Sequence, residues 1–168
     1  MRKTLYLKFL LAYFIFGFFG FVVVATFVSN MTTEQLTREK AEALYREATL
    51  IANTYAADLY NNETSLDTVK KQLDALDTYL SANLWIINPS GLMILDSDAP
   101  IDVGNETVIE GFDPTVTENS YYTIGNFFNS FTQNQLSVFA PITSDYKVRG
   151  YVVIHYPMSN ILASSNGL

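Results

Sequence analysis

The spacing of apolar positions changes twice along the chain, and each spacing predicts a different kind of element. From Leu5 to Val28 the run "LYLKFLLAYFIFGFFGFVVVATFV" has no period at all and carries one charge, Lys8. Its 24 residues would extend about 36 Å as a helix, enough to cross a bilayer core. A cleavable signal peptide has a shorter apolar region followed by a small-x-small site, which "ATFVSN" does not supply. A transmembrane helix is therefore predicted over 5–28. Arg2, Lys3 and Lys8 precede or open it, whereas the next basic residue is Arg38, so residues 1–4 are expected in the cytoplasm and everything after the span outside.

Beyond the span the spacing becomes helical. In "NMTTEQLTREKAEALYREATLIANTYAADLY" the apolar positions Leu36, Leu44, Ala48, Ile51, Tyr55 and Leu59 recur mainly at steps of three and four, which predicts one long amphipathic helix. Glu34 with Arg38 and Glu42 with Arg46 are acid-first i,i+4 pairs on its polar side. Thr32 and Gln35 could cap a fresh start, while nothing between Val28 and Thr32 forbids continuity with the span, so both arrangements stay open. A second helix is predicted from "SLDTVKKQLDALDTYLSANL", with Ser65 as N-cap and Leu66, Val69, Leu73, Leu76 and Leu80 on one face.

The spacing then shortens to two. "WIINPSGLMILDSD" places the turn residues Asn88 to Gly91 between two β-rich runs, the pattern of a hairpin. The acidic stretch "DSDAPIDVGNETVIEGFDPTVTEN" reads as an irregular loop with room for one short helix. Three further strands are expected in "SYYTIG", "QLSVFAPI" and "VRGYVVIHYP", the last two joined by "TSDYK". Alternation in the last strand sets Arg149, Tyr151, Val153 and His155 on one face and Val148, Val152, Ile154 and Tyr156 on the other. Both faces are largely apolar, so this strand is expected to be central.

With 168 residues there is room for one domain plus accessory segments. Beyond residue 30 the chain holds seven basic residues against seventeen acidic ones, a net −10, which disfavours a nucleic-acid partner. With no cysteine and a single histidine, His155, disulfides, thiolate zinc sites, Ser-His-Asp or Cys-His catalysis and multi-histidine metal sites all fail on counting. No glycine-rich nucleotide loop occurs, and neither a cofactor nor a catalytic residue is expected.

Asp96, Asp98 and Asp102 are weak metal candidates: counted from Asp96 their spacing departs from a calcium loop, and a solvated acidic loop closing a strand is the expected reading ahead of a cation site. Arg149 and His155 project from one strand face and could oppose an anionic ligand, or could simply sit in water and in a structural hydrogen bond. His155 could also confer pH sensitivity. Tyr122 and Phe127 belong to the aromatic stretch "YYTIGNFFNSF", too apolar for a plain surface loop, so that part of it is expected in the core and part in a pocket wall or a dimer contact; with Tyr151 they are candidate ligand-binding residues.

The order of span, long helix, second helix, hairpin ending in Asp-Ser-Asp, variable loop and closing strands resembles the extracellular PAS-like (Cache or PDC) sensor domains of bacterial transmembrane receptors, chiefly sensor histidine kinases. "WIINPSGLMILDSD", "LSVFAPI" and "RGYVVIHYPMSNI" carry the resemblance, which covers about residues 31 to 162. It implies an α+β fold in which two helices pack on an antiparallel sheet of about five strands, with a ligand pocket on the face away from the long helix. It further implies an extracytoplasmic domain over 29–162, a linker from 163–168 toward a second span, and a kinase, chemoreceptor or cyclase module beyond it, so that the chain reads as an N-terminal fragment without enzymatic activity of its own. The expected partners are the membrane, a second copy of the chain through Leu44, Ile51 and Tyr55 of the long helix, and a small-molecule, peptide or cation ligand. A domain that only dimerises or binds a partner protein, with an empty sheet, is the alternative.

Overall fold

The computed structural model describes residues 2–117 and 121–166. Helix α1 runs from Arg2 to Ile51 without a break, followed by a π-helical turn, Ala52–Ala56, and a short α2, Ala57–Tyr60. The open question at Thr32 is thus resolved as continuity. Its hydroxyl donates 2.9 Å back to the Val28 carbonyl, a bond made inside a helix and not at a cap. The N-terminal part of this helix is long and apolar enough to cross a membrane, and its apolar side chains stand free of the domain.

Helix α3, Leu66–Leu80, starts where expected: Ser65 Oγ accepts the Thr68 amide at 3.2 Å. Strands β1 (Asn83–Ile87), β2 (Met93–Asp96), β3 (Tyr122–Gly125), β4 (Gln135–Ser144) and β5 (Lys147–Pro157) form one antiparallel sheet in the order β2-β1-β5-β4-β3. The two largely apolar faces of β5 predicted a central strand, and β5 is central.

The turn between β1 and β2 is built by Asn88, whose Oδ1 accepts the amides of Ser90 (3.0 Å) and Leu92 (2.9 Å). Gly91 closes it at φ +94°, where a Cβ would meet the Ile109 carbonyl at 2.9 Å. The "TSDYK" connection is shorter than expected. The β4–β5 pairing continues to Ser144 opposite Lys147, leaving only Asp145 (φ 53°) and Tyr146 (φ 62°) in a left-handed two-residue turn whose twist matches that of the strands. Among the described residues the acidic loop contains one short 3-10 turn, Pro114–Thr117, and β5 leads into helix α4, Met158–Asn166, which contacts α1 and buries Ile161. No sequence pattern had marked α4 as a helix.

Two apolar layers cover the sheet. On one side Leu84, Ile86, Leu136, Val138, Ala140, Val152 and Ile154 meet α1 and α3 through Leu44, Ala48, Ile51, Val69 and Leu73. Leu44 and Ile51 are 1 % exposed and Tyr55 packs beside them, so the seam expected to serve a dimer is the seam that fills this core. A helix has one apolar stripe here, and the sheet takes it. On the other side Trp85, Ile87, Ile109, Phe127, Phe139 and Val153 form a second cluster without any helix, roofed by the loops after β2 and β3.

Candidate functional site

A cavity opens beside that second face. After β2 the chain leaves the sheet, and it returns at residues 107–109 to run along the β2 edge: the Met93 amide donates to the Thr107 carbonyl (2.8 Å), the Ile109 amide to the Gly91 carbonyl (2.9 Å), and Leu92 bridges Val108. The excursion encloses a cavity of about 530 Å³ bounded by Trp85, β2, the loop from Ala99 to Glu110, and residues 128–130. Pairing along β2 also covers what would otherwise be a bare sheet edge.

The 128–130 wall is held in an uncommon backbone. Phe127, Phe128 and Asn129 all have positive φ (48°, 53° and 63°), a left-handed run that L-residues adopt only when their surroundings enforce it. Here Asn126 accepts the Asn129 amide (3.2 Å) through its side chain and the Phe131 amide (3.1 Å) through its carbonyl, while Phe127 is driven into the aromatic cluster.

Among the described residues four acidic side chains line the cavity, Asp96, Asp102, Glu106 and Glu110, and no basic one does. Asp96 stands directly across the ladder from Trp85. Burial raises its pKa, opposed by the Asp98 amide, the Trp85 indole N–H and the charge of Lys70. The indole leans toward this carboxylate without completing a hydrogen bond, so Trp85 Nε1 is buried and unsatisfied. A donor and a half-buried anion therefore share one wall, and a cationic group would stabilise the ionised form of Asp96.

The candidates named from the sequence fall in several places. Phe127, Tyr151 and His155 share the aromatic face beneath the cavity, yet none of them lines it. Tyr122 packs on the helix side of the sheet. Arg149 sits at the solvent-exposed start of β5, its guanidinium 3.7 Å from Asp145. His155, six residues further along the strand, is 1 % exposed. At about 3.4 Å per residue the two lie on the order of 20 Å apart, which rules out their holding one anion together. The His155 ring lies 4.2 Å from Trp85, 4.6 Å from Phe127 and 4.8 Å from Phe131 between centroids. Its Nδ1 shares a 2.7 Å hydrogen bond with Ser137 Oγ, and desolvation lowers its pKa to about 3. It is a neutral core residue at physiological pH.

Asp96, Asp98 and Asp102 do not converge either. Asp96 and Asp102 border the large cavity, whereas Asp98 turns to a separate cleft of about 270 Å³ with Asp77, Asn83 and His155. Among the described residues no group of three His, Cys, Asp or Glu is placed to hold a metal ion. What sequence reasoning missed is Trp85 as a cavity wall and the run from Asn105 to Glu110. Its one available signal was the excess of acid over base in that stretch.

No protein-family profile matches the chain, and no curated protein matches it in sequence. Solved structures do match. The sensor domain of the Vibrio cholerae histidine kinase DctB aligns with a TM-score of 0.54 at 15 % identity, over 81 % of this chain and 57 % of that one. The ligand-binding domain of the Campylobacter jejuni chemoreceptor Tlp3, solved with L-valine, gives 0.52 at 13 % identity over 82 % and 60 %. A domain of a sensory box/GGDEF family protein from Vibrio parahaemolyticus gives 0.60 at 10 % identity over 81 % and 61 %. This chain thus spans about three fifths of the length of each. At such identities the likeness speaks for the fold, and the chain shares the α+β fold of these sensor and ligand-binding domains of a histidine kinase, a chemoreceptor and a sensory box/GGDEF protein.

Proposed function

We propose that the chain is the membrane-anchored sensing part of a receptor, with residues 29–162 outside the membrane and the cavity beside β2 as its ligand site. The observation that carries this reading is the cavity's composition: about 530 Å³, lined among the described residues by four carboxylates, no base, and apolar side chains that include Trp85, Met93, Leu95 and Ile109. Such a site favours a small ligand with an ammonium or other cationic group and a compact apolar body, and disfavours dicarboxylates. The Tlp3 domain, solved with L-valine, is a neighbour whose ligand has that chemistry.

The output reading is a sensor histidine kinase. A ligand held between β2 and the roofing loops would press on a sheet whose other face carries α1, and α1 continues without interruption into the apolar segment. A small shift of the sheet would then be passed along a rigid helix.

The test is thermal unfolding of the chain in nanodiscs against amino acids, organic amines, dicarboxylates and divalent cations, repeated with Asp96→Asn and Glu106→Gln. Concentration-dependent stabilisation by amines or amino acids that weakens at least tenfold in apparent affinity in either variant is the expected result. No stabilisation by any compound would leave the sheet as an interaction module and overturn the ligand reading.

A further inference from the structure

We propose that the π-helical turn Ala52–Ala56 is a register switch for the end of the long helix, which can seat either Ala56 and Tyr60 or Tyr55 and Leu59 against the sheet. The switch goes beyond the ligand reading and takes from it only its consequence for sensing.

Among the described residues this turn is the one departure from α-helical winding between Arg2 and Tyr60. Across it the Ala57 amide donates to the Ala52 carbonyl, five residues back, so the turn holds one residue more than an α turn. One extra residue rotates everything after it by about 100°. In an unbroken α-helix the seam through Ala41, Leu44 and Ala48 would continue at steps of three and four to Tyr55 and Leu59. In the structure Ala56 is fully buried instead, while Tyr55 and Leu59 are only partly covered. Two apolar stripes thus overlap at this point of the chain, and the π turn selects the second.

The selected register has a cost. It brings Tyr60 over Gly150, where a Cβ on the glycine would stand 3.0 Å from the phenol oxygen, and there Tyr60 Oη is buried without a hydrogen-bond partner. Just before the turn Thr49 Oγ1 is buried and unpaired as well, although Thr26, Thr32, Thr37 and Thr54 each donate to the carbonyl four residues back. Buried hydroxyls without partners are destabilising. Tightening the turn to α winding would take Tyr60 off Gly150 and turn Leu59, which needs no partner, toward the sheet. In favour of the observed register stands the Ser144 hydroxyl, which donates to Asn61 Oδ1 at 2.6 Å, a bond that the rotation breaks. A cost and a bond that oppose one another keep the two registers within reach of each other.

The position of the switch gives it a consequence. Gly150 is followed in β5 by Tyr151, which pairs with Ile87 of β1, and both of these side chains belong to the aromatic face beneath the cavity. Tyr60 therefore rests on the opposite side of the strand pair on which a ligand would press.

The test is amide relaxation dispersion on the chain in nanodiscs, because helix register shifts fall on the microsecond-to-millisecond scale. Wild type is expected to show exchange at residues 52–60 and at Gly150. Deleting Asn53, an exposed residue of the turn, closes the helix into regular α winding with Ala56 and Tyr60 still facing the sheet, so exchange at Gly150 should vanish. Absence of exchange in wild type, or equal exchange in the deletion variant, overturns the switch. If the deletion variant does not fold, Tyr60→Phe decides. Removing the unpaired hydroxyl favours the observed register, so this variant should melt higher, by about 2 °C, and lose most of the exchange at Gly150. A lower melting temperature or unchanged exchange overturns the switch. Neither result touches the amine titrations, which test the ligand reading separately.

Discussion

His155 makes the domain's acid stability calculable. The folded state keeps this imidazole neutral, with its pKa lowered from 6.5 to about 3 by complete burial against Trp85, Phe127 and Phe131. The unfolded chain frees it to take up a proton near 6.5. A base whose folded pKa is depressed gives stability that is present above the unfolded value and is lost as pH falls. Between pH 7 and pH 5 the folded imidazole binds almost no proton and the unfolded one nearly a full proton, so unfolding gains about 1.36 kcal/mol per pH unit below 6.5, or about 2 kcal/mol at pH 5. Because pH 5 lies well above the folded value, that figure depends on the unfolded pKa alone.

Asp98 acts in the opposite sense, since a raised carboxyl binds its proton more readily in the fold and adds stability as pH drops through 6. The measurement is therefore made in an Asp98→Asn background, with and without His155→Gln. Urea unfolding in nanodiscs, followed by the emission of Trp85, the chain's single tryptophan, gives the stability at each pH. The background protein is expected to lose about 2 kcal/mol more than the double variant between pH 7 and 5. Equal losses in the two, or an imidazole that titrates near 6.5 by NMR in the folded protein, would refute the reasoning.

Two further expectations concern the helix side. Gly150→Ala places a Cβ 2.7 Å from the Ile87 carbonyl and 3.0 Å from Tyr60 Oη, so overpacking against backbone should cost about 1–3 kcal/mol or more, read as a lower urea midpoint. Leu44→Ala should cost about 2–5 kcal/mol through the cavity it leaves under the sheet, while sedimentation in detergent shows an unchanged oligomeric state. Loss of a dimer with unchanged monomer stability would return Leu44 to the dimer seam.

Local chemistry was legible wherever it needed few partners. The unbroken apolar run from Leu5 to Val28, the Ser65 cap, the Asn88–Gly91 turn and the two-residue alternation of β5 each depend on neighbours within a few positions, and each emerges in the structure where the sequence placed it. The strand order placed β5 at the centre because both of its faces are apolar, a property also written in its own residues. Helix α4 was missed because its nine residues carry little amphipathic pattern, and only contact with α1 makes burial of Ile161 worthwhile.

Depth and convergence were left to the tertiary structure. Alternation sets the direction of Arg149 and His155 but not how much chain covers each, so one ends in water beside Asp145 and the other beneath three aromatic rings. Periodicity likewise marks an apolar seam through Leu44 and Ile51 without naming what covers it, and the sheet covers it. The cavity itself is made by a loop returning some ten residues later to pair beside β2, and the tie between α3 and the β2 exit by Asp77 reaching a serine twenty residues on. Neither has a period to read, because the contacts that define them join positions whose spacing in sequence carries no physical constraint until the chain has folded.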